Sequence, residues 1–178
     1  MQSEIERKAT FNLTSTAVLE NLLRIAPLII WAAFIFIMSS SIGGGDNSRS
    51  VLSSFLERLF PAWFSTLSPA QVELINHSIR KLGHVTEYFI FGLCAVRAIR
   101  PKTCRFTVKN GLAALILSTI YACTDEIHQY FVPGRTAAVG DVLIDSFGAS
   151  LAVIIILVWY ARKTTGMPSE PLTGHTPV

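Results

Sequence analysis

Residues 25–42 carry no charged side chain. A helix needs about 20 mostly apolar residues to cross the hydrocarbon core of a bilayer. This run is longer than the apolar core of a signal peptide, about 7–15 residues, and no small-residue cleavage site follows it. It is therefore expected to be a retained first helix. Pro27 falls in the expected first turn, where proline is tolerated, and the run ends in Ser39, Ser40 and Ser41 before Gly43, Gly44 and Gly45. Residues 146–161 form a second uncharged run, and the span it predicts extends back to Asp141. Between the two, residues 82–99 are apolar apart from His84, Glu87 and Arg97, and residues 111–132 apart from Asp125, Glu126, His128 and Gln129. As buried helices of a soluble domain, the middle pair would have no water-soluble partner to pack against. Composition points the same way: 51% of the residues are hydrophobic and 15% charged, against about 25% charged in a soluble domain. The mean hydropathy is +0.47. The expected fold is all-α, an integral membrane bundle of four transmembrane helices.

Lysine and arginine set the orientation, because they favour the cytoplasmic side. One side holds Arg7, Lys8, Arg24, Arg97, Arg100, Lys102, Arg105, Lys109, Arg162 and Lys163, and the other holds Arg49, Arg58, Arg80, Lys81 and Arg135, ten against five. Both termini are thus expected in the cytoplasm, as a segment over residues 1–24 and a disordered tail over 162–178 rich in Pro, Thr and Gly. The four-helix domain spans 25–161. Its outer loop, residues 42–80, places Val51, Leu52, Phe55, Leu56, Leu59 and Phe60 at helical spacing, with Arg49, Glu57 and Arg58 elsewhere. That pattern predicts an amphipathic helix on the membrane surface or over the bundle. Ser68 and Pro69 then read as a helix start that runs into the second span. The net charge of +3 gives no reason to expect nucleic acid. Cys94, Cys104 and Cys123 are odd in number and lack a C-x-x-C spacing, so they imply neither a disulfide framework nor a zinc site.

Ionisable groups within a bilayer are costly and tend to face the protein interior. Here they gather at one depth. Lys81, His84 and Glu87 open the second span, Asp125, Glu126, His128 and Gln129 close the third, Arg135 lies in the short loop after it, and Asp141 and Asp145 open the fourth. Lys81, His84 and Tyr88 are three and four residues apart and share a helix face. Asp125 and Gln129 are four apart, as are Asp141 and Asp145, whereas Glu126 points about 100° away from Asp125. Each helix can offer a polar stripe to a common cavity near the outer face, with Gly148 one turn further in for close packing. Trp159 and Tyr160 suit an inner interfacial belt.

Residues 80–88, Arg-Lys-Leu-Gly-His-Val-Thr-Glu-Tyr, resemble the K-x-x-H-x-x-E-Y signature of the VanZ-like family. Residues 125–135, Asp-Glu-Ile-His-Gln-Tyr-Phe-Val-Pro-Gly-Arg, resemble its D-E-x-x-Q-x-x-x-P-G-R signature. Asp141, Gly148 and the serines ending the first span fit as well, so the resemblance covers about residues 25 to 160. Asp145 stands where such proteins often have Asn, and Ala152 where a Gly is common. The resemblance implies a protein of the bacterial cytoplasmic (inner) membrane, with a link to the cell envelope and to low-level resistance to the glycopeptide teicoplanin.

Three kinds of activity use such a cluster. The first is recognition or processing of an anionic envelope lipid or lipid-linked cell-wall precursor at the outer leaflet. Lys81 and Arg135 would hold the anion, His84 would carry a proton, and Asp125 or Glu126 would orient His84 or act as a base. The set expected to do chemistry is His84, Glu87, Asp125, Glu126 and Asp141. The set expected to hold the ligand is Lys81, Tyr88, Gln129, Arg135 and Asp145. The second is a metal-dependent membrane hydrolase, since His84, Glu87, Asp125, His128 and Asp141 are ligand types; no compact H-E-x-x-H motif is present, and no cofactor or metal is expected. The third is a non-enzymatic binder or sensor, with the charges pairing to fix helix register. Whether a reaction is catalysed stays open at this point. The expected partners are membrane lipids and a lipid-linked precursor, and oligomerisation is left open.

Overall fold

A computed structural model describes residues 2–40, 45–100, 106–135 and 137–165, with side chains from residue 16 onward except at 17, 45–47, 164 and 165. Ser41, Gly43, Gly44, Lys102, Cys104, Arg105 and the expected tail from residue 166 lie outside these residues. Arg7 and Lys8 lie outside the described side chains. The described residues are helical with no strand: α1 (Gln2–Ser39), α2 (Gly45–Leu59), α3 (Pro61–Phe64), α4 (Pro69–Ile99), α5 (Val108–Tyr130) and α6 (Val139–Thr165).

Three helices are long and apolar enough to cross a membrane, over Val18–Ser39, Pro69–Ile99 and Val139–Lys163. The surface fits that solvent. Ile30, Leu112, Ile127, Leu143 and Ile154 are each more than half exposed, which suits contact with lipid. α5 is 23 residues long but carries Lys109, Asp125 and Glu126, which lower its hydropathy.

The starts of α4 and α5 follow from capping. Ser68 and Gln71 form a reciprocal capping box with Pro69 in the first turn, so α4 starts at Pro69 and runs unbroken through the expected second span. Thr107 and Asn110 form an equivalent box, which starts α5 three residues before the expected Gly111.

Pro27 corrects an expectation. It lies well inside α1 rather than in a first turn. A proline has no N–H and so leaves the carbonyl four residues earlier without its helical donor. That carbonyl, on Leu23, accepts a hydrogen bond from Arg97 Nη2 at 3.3 Å. α1 is therefore joined to the end of α4 at the site where its own ladder is interrupted.

Cross-helix contacts fix the directions. α4 and α6 run parallel, since Lys81 in the first half of α4 meets Asp141 at the start of α6 and Arg100 meets Tyr160 near their ends. α1 runs against α4, with Arg24 at Ala98 and Trp31 at Glu87, and alongside α5, with Ala32 at Tyr121 and Ser39 at Asp125. α4 and α6 touch through small residues. A Cβ on Gly148 would collide with the Val85 carbonyl, and one on Gly92 would sit 3.1 Å from the Ala149 backbone. Contact that close fixes the register between the two helices that carry most of the polar groups.

α2 packs beside α4, where Ser48 Oγ donates to Asn76 Oδ1 at 3.2 Å and Arg49 pairs with Glu73 at 3.4 Å. Leu52 and Leu56 are half-buried, whereas Val51, Phe55 and Leu59 are exposed.

Candidate functional site

The C-terminal ends of α1 and α5, the first half of α4, the start of α6 and the connection after α5 meet at one end of the bundle. The arrangement begins with α4. Within its continuous turn, Arg80, His84 and Glu87 are four and three residues apart and share a face. All three line a cavity of about 160 Å³, together with Met38, Ser39, Ser48, Gly83 and Arg135. Arg80 and His84 also line a smaller neighbouring cavity of about 50 Å³ with His77, Lys81 and Asp141.

The carboxylates around these cavities have separate partners. Lys81 forms an ion pair with Asp141, linking α4 to α6. One turn further along, His84 Nδ1 lies 3.0 Å from Asp145 Oδ1, and Asp145 is fully buried. Asp125 faces α1: its Oδ2 accepts from Ser39 Oγ at 2.8 Å and from Gln129 Nε2 at 3.0 Å. Glu126 faces the other way, as its angle on the helix predicts, and its Oε2 accepts the Ala138 backbone N–H at 2.8 Å. The expectation that Asp125 or Glu126 orients His84 is thus replaced by Asp145, because the α4–α6 register brings residue 145 and not the α5 carboxylates beside the imidazole.

Arg135 reaches this site through the tight turn at Gly134, whose φ of +79° suits glycine. Its Nη2 donates to the carbonyls of Met38 and Ser40. These belong to the end of α1, where the last carbonyls have no intrahelical donor and a cation is favoured by the helix dipole. Arg135 forms no carboxylate pair among the described residues, and its buried Nε has no partner. Burial first, then the charge of Arg80, push its pKa below the ordinary arginine value.

Two expected ligand contacts lie deeper than the cavities. Tyr88 is fully enclosed with Ile35, Phe91 and Ala122, and its hydroxyl has no partner. Gln129 is buried between Asp125 and Ser39. His128 stacks on Phe36 with ring centroids 4.1 Å apart and belongs to neither cavity. Among the described residues no three His, Cys, Asp or Glu side chains come together as a metal-holding group.

A model of the VanZ/LLP1 family matches residues 24–160, a stretch that contains all of these groups. The chain belongs to the VanZ/LLP1 family. No curated protein and no solved structure matches it significantly.

Within this family member, Arg80, Ser39 and Ser48 are among the cavity residues that the sequence reading did not place in the site. The signal for Arg80 was present, because positions 80, 84 and 87 fall on one face as regularly as 81, 84 and 88 do. Ser48 lies on α2, and the helical spacing there does not specify which face of α4 it meets.

Proposed function

We propose that this chain recognises a phosphate-bearing envelope lipid or lipid-linked precursor through the cavity at the polar end of the bundle. The observation that carries the reading is the charge left facing that cavity. Asp141, Asp145 and Asp125 are each engaged by a neighbour, while Arg80 and Arg135 line the cavity against the single carboxylate of Glu87. Two guanidinium groups suit a phosphate, which arginine can bind through two parallel N–H bonds. Lys81, expected to share that role, is better read as the partner of Asp141. His84, held by Asp145, is the group placed to carry a proton to or from the bound headgroup.

The same reading takes α5 as a fourth span, because the helix directions alternate in the order α1, α4, α5, α6. The lysine and arginine asymmetry then puts the polar end on the outer side and both termini in the cytoplasm of an inner-membrane protein. α2 lies along the outer surface with Val51, Phe55 and Leu59 toward lipid. An outer-facing site for cell-wall lipids would connect naturally to glycopeptide susceptibility.

The test is binding of a polyprenyl phosphate to the purified protein, compared with the corresponding uncharged polyprenol. Arg80→Gln should weaken phosphate-dependent binding at least tenfold in folded protein. Equal binding of the two lipids would overturn the reading. Release of inorganic phosphate during the same incubation would separate processing from recognition alone.

A further inference from the structure

The opposite end of the bundle holds a second, chemically different groove. It lies between α4 and α6, has a volume of about 480 Å³, and is lined by Leu93, Val96, Ile155 and Ile156, with Arg97 and Arg100 at one end. That volume is within the about 300–1,000 Å³ of small-molecule sites. Trp159 and Tyr160 close the same end. We infer that this groove binds an anionic glycerophospholipid, with one acyl chain along the α4–α6 seam and the phosphodiester on Arg97 and Arg100.

The two arginines are held in place by bonds that leave donors over. Arg97 gives one N–H to the Leu23 carbonyl that Pro27 frees in α1, and Arg100 gives one to the Tyr160 hydroxyl at 2.8 Å. A guanidinium has five N–H donors, so each retains several for a ligand. The Arg100 carbonyl in turn accepts from Arg24. Side chains of three helices thus fix the mouth before anything binds.

The depth also suits a lipid. Trp159 is 53% exposed, stands edge-on to Tyr160 at 4.8 Å between centroids, and carries Lys163 over its ring at 5.3 Å. An amphipathic aromatic beside cations, at the end of an apolar helix, is the arrangement found at headgroup level. Basic pockets between helices at that level select anionic headgroups. Among the described residues no carboxylate lines the groove, so its described wall does not repel a phosphodiester. The site is independent of the cavity at the polar end and serves whichever leaflet this end occupies.

The test uses the full chain in detergent, supplied with phosphatidylglycerol or with phosphatidylcholine of the same acyl chains. Bound lipid is counted by native mass spectrometry and the melting temperature is recorded. The wild type should retain phosphatidylglycerol preferentially and melt higher with it. Arg97→Gln/Arg100→Gln should weaken retention about 30-fold, from roughly one headgroup interaction lost per arginine. Ile155→Trp, which keeps both charges but fills the groove, should do the same, and it tests the site even if the double variant folds poorly. A charge-matched control at the other end, Arg49→Gln/Arg58→Gln, should retain the lipid. Equal retention of the two lipids by the wild type, equal loss in the control, or full stabilisation by free glycerol phosphate would each overturn the inference.

Discussion

Ser39, the last residue of α1, donates its hydroxyl to Asp125 on α5 at 2.8 Å, and both side chains are buried. A carboxylate withdrawn from water needs such donors, and among the described residues Asp125 has one other, Gln129. Its second oxygen has no partner, so little compensation is held in reserve. Ser39→Ala should therefore cost about 1–3 kcal/mol, the range for leaving a buried acceptor unsatisfied. A melting curve within error of wild type would show that this bond does not hold α1 to α5.

Lys81 and Asp141 call for a double-mutant cycle rather than a single variant. The side chains are 29% and 11% exposed, so the pair is mostly but not fully withdrawn from solvent. Removing one partner strands a charge, while removing both does not. Lys81→Met and Asp141→Leu should each destabilise, and the double variant should recover about 1–3 kcal/mol relative to their sum. Simple additivity by equilibrium unfolding would mean the ion pair contributes nothing to the α4–α6 register.

Gly148 tests that register directly. An added methyl would meet the Val85 carbonyl, which is backbone and cannot rotate away. Gly148→Ala should destabilise by at least about 1–3 kcal/mol, the usual cost of overpacking. Gly83→Ala, on the same α4 turn with open space around it, should be well tolerated. Similar melting temperatures for the two variants would refute close α4–α6 packing.

These pairs show what the sequence could and could not reveal. Spacing within one helix was readable: it put Lys81 and His84 together, turned Glu126 away from Asp125, and marked Ser68 as a start. Partners across helices were not readable. His84 meets Asp145 instead of Asp125 because Gly148 and Gly92 let α6 approach α4 at one particular register, and no spacing within a single helix specifies that. Pro27 misled for a related reason. The carbonyl it leaves without a helical donor, on Leu23, accepts instead from Arg97, seventy residues beyond Pro27. The absence of charge in residues 25–42 suggested a helix beginning near 25, yet α1 starts at Gln2, because polar residues end a span without ending a helix.

Arg135 joins the two uses of charge in this fold, and its variants separate them. Its Nη2 donates to carbonyls at the end of α1, on Met38 and on Ser40 just beyond it, while the same side chain lines the cavity with Arg80 and Glu87. Arg135→Ala should remove both roles: it frees two carbonyls, lowering stability by about 1–2 kcal/mol, and it takes one of two guanidiniums from the proposed phosphate site. Arg135→Lys should divide them. An ammonium can still donate to carbonyls and complement the helix end, so the melting temperature should return most of the way to wild type. It cannot offer two parallel N–H bonds to one phosphate, so polyprenyl phosphate binding should stay at least tenfold weaker. Both readouts come from one preparation, with binding normalised to folded protein. Lysine that restores binding as fully as stability would assign Arg135 to the end of α1 alone, and alanine that binds like wild type would remove it from the ligand site altogether.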